Sequence, residues 1–190
     1  MPRDLPATKS LLLKAYRELA PELKAQLFNV LKAHQDFPKW TNAYHPNRNF
    51  DLPAYVFMRS STWPDEIRRS GNQYDHPDWH FVDYPLRPPN FTFEEDARPQ
   101  DDILFGIKQC EQTLSDEKAA PELRAAYLSW LIHLIGDLHQ PLHCESFFDA
   151  DYPNGDKGGN DFYVMPAQRV VGLNQIWHGL LGTSANPRSQ

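Results

Sequence analysis

The stretch Tyr127–His143, YLSWLIHLIGDLHQPLH, decides how the rest of the chain is read. Leu128, Trp130, Leu131, Ile132, Leu134 and Ile135 make its first half apolar on every side. A helix of that kind belongs inside a domain. Yet it carries His133, Asp137 and His139, and His143 follows at its end. Burying imidazole or carboxylate without partners is costly. His133 and Asp137, four apart, share one helical face, whereas His139 lies about 240° around from His133. Pro141 has no N–H to give and bends or ends the helix. A lone buried His is ordinarily a hydrogen-bonded core residue. Two or three of them with an Asp in one apolar helix read better as metal ligands, because imidazole nitrogen and carboxylate oxygen both bind zinc. His139, off the shared face, reads as bonded to backbone.

The chain of 190 residues is long enough for a single domain over 1–190 with a substantial core. A hydrophobic fraction of 41% with 5 Trp, 8 Tyr and 11 Phe indicates a folded protein. A net charge of −6 argues against a protein that coats nucleic acid with a basic face. It leaves room for an enzyme that meets phosphates through bound metal. Cys110 and Cys144 are either one disulfide or two thiols. No CxxC pair occurs, so any zinc is held by His and carboxylate. No apolar run reaches membrane-spanning length, and the opening MPRDLPATKS has no signal-peptide core.

Outward from the central helix, predicted over Pro121–His139, the chain reads as mainly α-helical with long loops and a minor β-hairpin. Leu12, Leu13, Tyr16, Leu19, Leu23, Leu27, Val30 and Leu31 recur at helical spacing, giving one helix over 8–34 or two separated at Pro21. Residues 35–54 read as loop, Tyr55–Arg69 as a short helix with a kink or restart at Pro64, and 70–100 as extended loop. Asp101–Asp116 is amphipathic, with Asp101 as its cap. Phe162–Val164 and Arg169–Val171 read as a hairpin turning at Pro166-Ala167, and Asn174–Leu181 as a last helix. His34, His45 and His76 read as exposed or packed on loops. Asp149, Asp151, Asp156 and Asp161 read as a solvated acidic loop without calcium-loop spacing.

Four segments together resemble a known family. They are WHFVDYP at Trp79–Pro85, HLIGDLHQPLH at His133–His143, GDKGGNDF at Gly155–Phe162, and the Trp-containing helix that Asn174 begins. This combination is similar to the S1/P1 nucleases, zinc-dependent phosphodiesterases that share a largely helical fold with bacterial zinc phospholipase C. The resemblance covers about residues 22–182. It implies three zinc ions in one cleft. Asp65, in the W-x-D-x-x-R motif, resembles the carboxylate that binds the first zinc and contacts the attacking water. Arg68 resembles the arginine that steadies the phosphate. His80, His133 and Asp137 would complete the first shell, with Asp137 bridging to another zinc, and His143 would bind the second. Phe81 and Asp83 resemble the residues that stack on and hydrogen-bond a base, and Asn160 lies in the family's GGN loop.

The chain departs from that pattern in two places. The family's N-terminal tryptophan and nearby histidine, ligands of the third zinc, have no counterpart, and the first histidine is His34. Where the family has a His and an Asp four apart, this chain has Asn174 and His178, a poor zinc ligand and a good one. The chain therefore reads as a partial member, truncated at both ends, holding one or two zinc ions. The leading expectation is a monomeric zinc-dependent endonuclease that cleaves single-stranded DNA or RNA to 5′-phosphates, secreted or periplasmic by resemblance. The alternatives are a phospholipase C-like phosphodiesterase and a catalytically impaired zinc-stabilised domain. Phe81 and Asp83 favour a nucleotide over a lipid head group.

Overall fold

The computed structural model of the protein describes residues 7–46, 50–91 and 100–180, with the side chains of 7–11, 167 and 178–180 outside the described set. The helical spacing after the N-terminus resolves into α1 (Ala7–Glu18) and α2 (Pro21–Leu31). Pro21 starts the second, where its missing N–H is no loss. The expected loop that follows is interrupted by α3 (Phe37–Asn42), which buries Trp40. Its local composition reads as loop, but anchoring one large indole in the core is enough to fix a turn and a half of helix. In α4 (Leu52–Ile67), the Asp51 carboxylate caps the start by accepting from the Ala54 amide at 3.0 Å. Pro64 sits inside this helix without ending it.

Asp102, one residue later than expected, caps α5 (Ile103–Ser115) by accepting from the Leu104 and Phe105 amides. The central helix α6 (Pro121–Leu138) packs against α2, α4 and α5. Neighbours on several sides are why its sequence shows no polar face. Its buried residues join Leu31, Trp40, Val56, Trp63, Trp79, Val82, Ile103 and Cys110 in the main core. A smaller cluster of Leu13, Tyr16, Ala54, Phe57 and Met58 seats α1 on α4. Gly106 of α5 lies against Trp79, so close that a β-carbon there would stand 2.8 Å from the indole. Both cysteines are free thiols.

Two small sheets complete the fold. β1 (Tyr84–Leu86) and β2 (Glu145–Phe147) pair in parallel, Tyr84 opposite Glu145 and Leu86 opposite Phe147. Their connection runs through α5 and α6, since parallel neighbours need a long crossover. This pairing was not legible in a three-residue segment containing proline. β3 (Tyr163–Val164) and β4 (Val171–Gly172) form the expected hairpin, with a 3-10 turn at Pro166–Gln168. α7 (Leu173–Leu180) follows at once. Mainly helical architecture with short strands is thus the observed fold class.

Candidate metal centre

Four segments supply the polar groups of one cleft. Asp65 comes from the last turn of α4, and His80 from a 3-10 turn at Pro77–His80. His133 and Asp137 come from α6, and His143 from a second 3-10 turn at Pro141–His143. The β1–β2 pair ties the two turns together. The Val82 amide donates to the His143 carbonyl at 2.8 Å, and the Tyr84 amide to the Cys144 carbonyl at 3.1 Å. His80 and His143 therefore enter the cleft side by side.

His133 Nε2 and His80 Nδ1 lie 2.9 Å apart. Asp137 Oδ2 is 3.0 Å from the first and 3.3 Å from the second. Asp65 Oδ1 is 3.8 Å from both nitrogens. Asp65, His80 and His133 offer ligand atoms that all fall within 4.8 Å of one another. The two imidazoles are buried, but the Asp65 side chain is 61% exposed, so the cleft opens to solvent on its side.

The tautomers are set by neighbouring carbonyls. His133 Nδ1–H donates to the Ser61 carbonyl at 2.8 Å, so Nε2 faces the cluster, donating to Asp137 when the ring is protonated and offering a lone pair when it is neutral. His143 Nδ1–H donates to the His80 carbonyl at 3.0 Å in the same way, and this nitrogen is 3.7 Å from Asp137 Oδ1. Pro64, lacking an N–H, loosens the α4 ladder beside Ser61. Burial works against protonating His133, but its bond to Asp137 and the charges of Asp137 and Asp65 outweigh that and raise its pKa. Burial likewise pushes Asp137 up, but hydrogen bonds from His133, His143 and His80 hold its carboxyl well below the usual range.

This donor set fits a zinc ion. Bonds of about 2.0–2.2 Å in a tetrahedron put ligand atoms about 3.3 Å apart, and the separations above bracket that value. Neutral His80 and His133 with the Asp65 carboxylate would give the mixed neutral and anionic shell that zinc takes, and Asp137 lies 3.0 and 3.3 Å from the two nitrogens.

The remaining candidates are placed as follows. Arg68 is exposed just past α4, its amide bonded to the Asp65 carbonyl at 3.3 Å. Phe81 and Asp83 are half-buried beyond His80, and Phe81 O accepts from the Ile103 amide at 3.1 Å. Burial raises the Asp83 pKa, and the charge of Asp156 adds to it. Asn160 is exposed and its amide donates to the Lys157 carbonyl of its own loop at 2.7 Å. The side chain of His178 lies outside the described residues. Asn174 does not face the cluster through its amide, which donates to the Gly158 carbonyl at 3.0 Å. A β-carbon on Gly158 would collide with the Leu142 carbonyl, so the glycine loop is pressed between α7 and the turn bearing His143.

Two expectations change, those for His34 and Asp156, while the loop packing read for His76 stands. His34 is buried, stacked on Trp40 at 4.4 Å and edge-on to Trp63 at 4.4 Å, because two indoles supply the contacts that a loop would not. His76 is half-buried and stacks on Trp79 at 3.8 Å. Asp156 is not solvated: its carboxylate is buried and accepts from the Phe147 amide at 2.9 Å and the Ser146 hydroxyl at 3.2 Å. A buried Asp amid glycines was the missed sign of a structural knot. His139 Nδ1–H donates to the Ile135 carbonyl at 2.6 Å, as the reading of that residue had it.

The chain is similar to Endonuclease 3 of Arabidopsis thaliana, with 29% identity over 65% of this chain and 42% of that protein. It is also similar to Nuclease P1 of Penicillium citrinum, with 32% identity over 46% of this chain and 33% of the relative. With Nuclease S1 of Aspergillus oryzae (strain ATCC 42149 / RIB 40) it shares 27% identity over 67% of this chain and 42% of the relative. It thus spans less than half the length of each. The profile of the S1/P1 Nuclease family matches residues 15–188, and the chain accordingly belongs to the S1/P1 nuclease family.

Proposed function

We propose that the chain is a zinc-dependent nuclease that hydrolyses single-stranded DNA or RNA to 5′-phosphate products, as a monomer in a secreted or periplasmic setting. The observation that carries this reading is the convergence of Asp65 and Asp137 on the facing nitrogens of His80 and His133, with Asp65 exposed. Asp65, His80, His133 and Asp137 would hold one ion, and His143 and His178 would serve a second. Bound zinc would neutralise phosphoryl oxygens and lower the pKa of water at the site. The chain's own groups do the rest. Asp65, the exposed carboxylate, orients the attacking water. Arg68 donates to a non-bridging phosphate oxygen, Phe81 stacks on a base, and Asp83 hydrogen-bonds its edge. Stacking reads any base, in keeping with low sequence preference. The water oxygen bonds to phosphorus as the bond to the 3′ oxygen breaks; the water gives up a proton, and the 3′ oxygen takes one from solvent and leaves as a hydroxyl.

The test is zinc content by elemental analysis and hydrolysis of single-stranded DNA, RNA and phospholipid by one preparation. Asp65→Asn should lose metal and nearly all turnover. Arg68→Ala should keep metal and lose about 10²–10³ in rate. Release of phosphorylated head groups from lipid without nucleic-acid cleavage would replace this reading with a phospholipase one. The engaged amide of Asn174 favours a second reading, a zinc-stabilised domain with an impaired second site. Zinc binding with no hydrolysis of any of the three substrates would establish it.

A further inference from the structure

Arg69 follows the site residues Asp65 and Arg68 and is not used by the reading above. Its backbone lies in the left-handed region, φ 59°. Glycine takes that conformation readily and Asn or Asp at some cost, but a long side chain is uncommon there. The conformation is imposed from outside. The Arg69 amide donates to Asp75 Oδ2 at 2.6 Å. The loop between them is closed by the Asp75 amide on the Asn72 carbonyl at 3.0 Å, and the Trp130 indole anchors the Tyr74 carbonyl at 2.9 Å. Gly71, two residues on, is also left-handed, and a glycine at 69 would take the Arg69 conformation with no β-carbon to strain it.

The fold alone therefore gives no reason for arginine at 69. Nor does a protein partner: among the described residues, the Arg69 side chain is exposed and neither hydrogen-bonded nor ion-paired. The other left-handed cation, Lys157, is paired with Asp161 at 2.7 Å. Arg59, on the same helix as Asp65, is paired with Glu66 at 2.8 Å. Arg68 and Arg69, neither with a side-chain hydrogen bond or ion pair among the described residues, thus follow the exposed carboxylate of Asp65 by three and four positions on a chain of net charge −6. Guanidinium in that setting suits phosphate, which it can grip through two N–H groups.

We propose that Arg69 is a second phosphate contact, binding a backbone phosphate of single-stranded nucleic acid that flanks the one cleaved, and that Asp75 is the positioning residue that fixes its backbone. The inference rests on the nuclease reading of the same cleft. The test is equilibrium binding of zinc-loaded full chain to fluorescent single-stranded phosphorothioate DNA, as a dinucleotide and as a longer oligonucleotide, across salt concentrations. Arg69→Ala should weaken the longer strand several-fold, more than the dinucleotide, and flatten the dependence of log affinity on log salt by about 0.7. Arg69→Lys should restore most of the salt slope. Arg69→Gly, which relieves the left-handed strain, should keep the melting temperature and still lose affinity. Asp75→Ala should weaken the longer strand alone but add little on top of Arg69→Ala. Wild-type affinity and salt slope in Arg69→Ala, with the wild type binding, would overturn the inference alone. A wild type that takes up zinc yet binds neither DNA would overturn it together with the nuclease reading.

Discussion

His34 shows what one buried residue does to the molecule's pH range. Burial among Trp40 and Trp63 lowers its pKa to about 4, against the smaller pull of Asp36. Its Nδ1 accepts the Asp36 amide at 3.0 Å, so the neutral ring is the one that fits. The folded pKa lies below the ordinary 6.5, so the unfolded chain binds the proton first. The stability that neutral His34 contributes is complete above pH 6.5 and is lost as pH falls toward 4. Down to pH 4.5 the loss is about 2–3 kcal/mol at about 1.4 kcal/mol per pKa unit. Urea unfolding in EDTA at pH 7 and at pH 4.5 measures it. His34→Gln should flatten that interval relative to the parent, and an unchanged pH profile would show that the ring protonates without strain. His34 was not readable in this role, because its partner Trp63 is 29 positions away and sequence spacing carries no sign of stacking. His133 and Asp137 were readable, because spacing of four on an apolar helix is itself geometry.

Among the elements, α5 and the turn bearing His80 are coupled through Gly106. Alanine in a helix interior is better than glycine by about 1 kcal/mol. Here the β-carbon would meet Trp79 at 2.8 Å and Leu134 at 3.0 Å. Trp79 is buried and flanked by His76 and Trp130, so the ring has little room to yield. Overpacking costs of about 1–3 kcal/mol should outweigh the helical gain. Gly106→Ala is expected to lower the melting temperature and, by moving the neighbour of His80, to weaken zinc affinity measured by competition with a chelator. A higher melting temperature would mean that α5 shifts freely. The elements α5 and α6 were legible from period and caps, to within a residue. The parallel β1–β2 pair was not, because its three-residue strands show no alternation to read and pair across the 58 residues between Leu86 and Glu145. Asp65 and His80 were marked out by the indoles of Trp63 and Trp79 beside them and then by the resemblance, since a lone Asp after proline and a loop His have commoner explanations.

For the whole molecule, zinc should act as a clasp on the native state alone. A ligand that binds only the folded chain stabilises it by about 2.7 kcal/mol at a hundred times its dissociation constant. Where that stabilisation appears in time follows from the β1–β2 pair. His80 meets His133 across 53 positions and Asp65 across 15, and His80 is held beside His143 by strands that close over α5 and α6. Closing so long a crossover comes late, after local helix contacts have formed. The ligand shell is then incomplete in the folding transition state, so its energy falls on the unfolding limb. Stopped-flow experiments with and without zinc should find the refolding rate nearly unchanged and the unfolding rate slowed, by up to about a hundredfold at that saturation. Refolding that speeds up with zinc would place the ligands together before the strands. The two short strands would thus set a clock: a metal held by these residues would seal a chain that had already found its shape and would not help it get there.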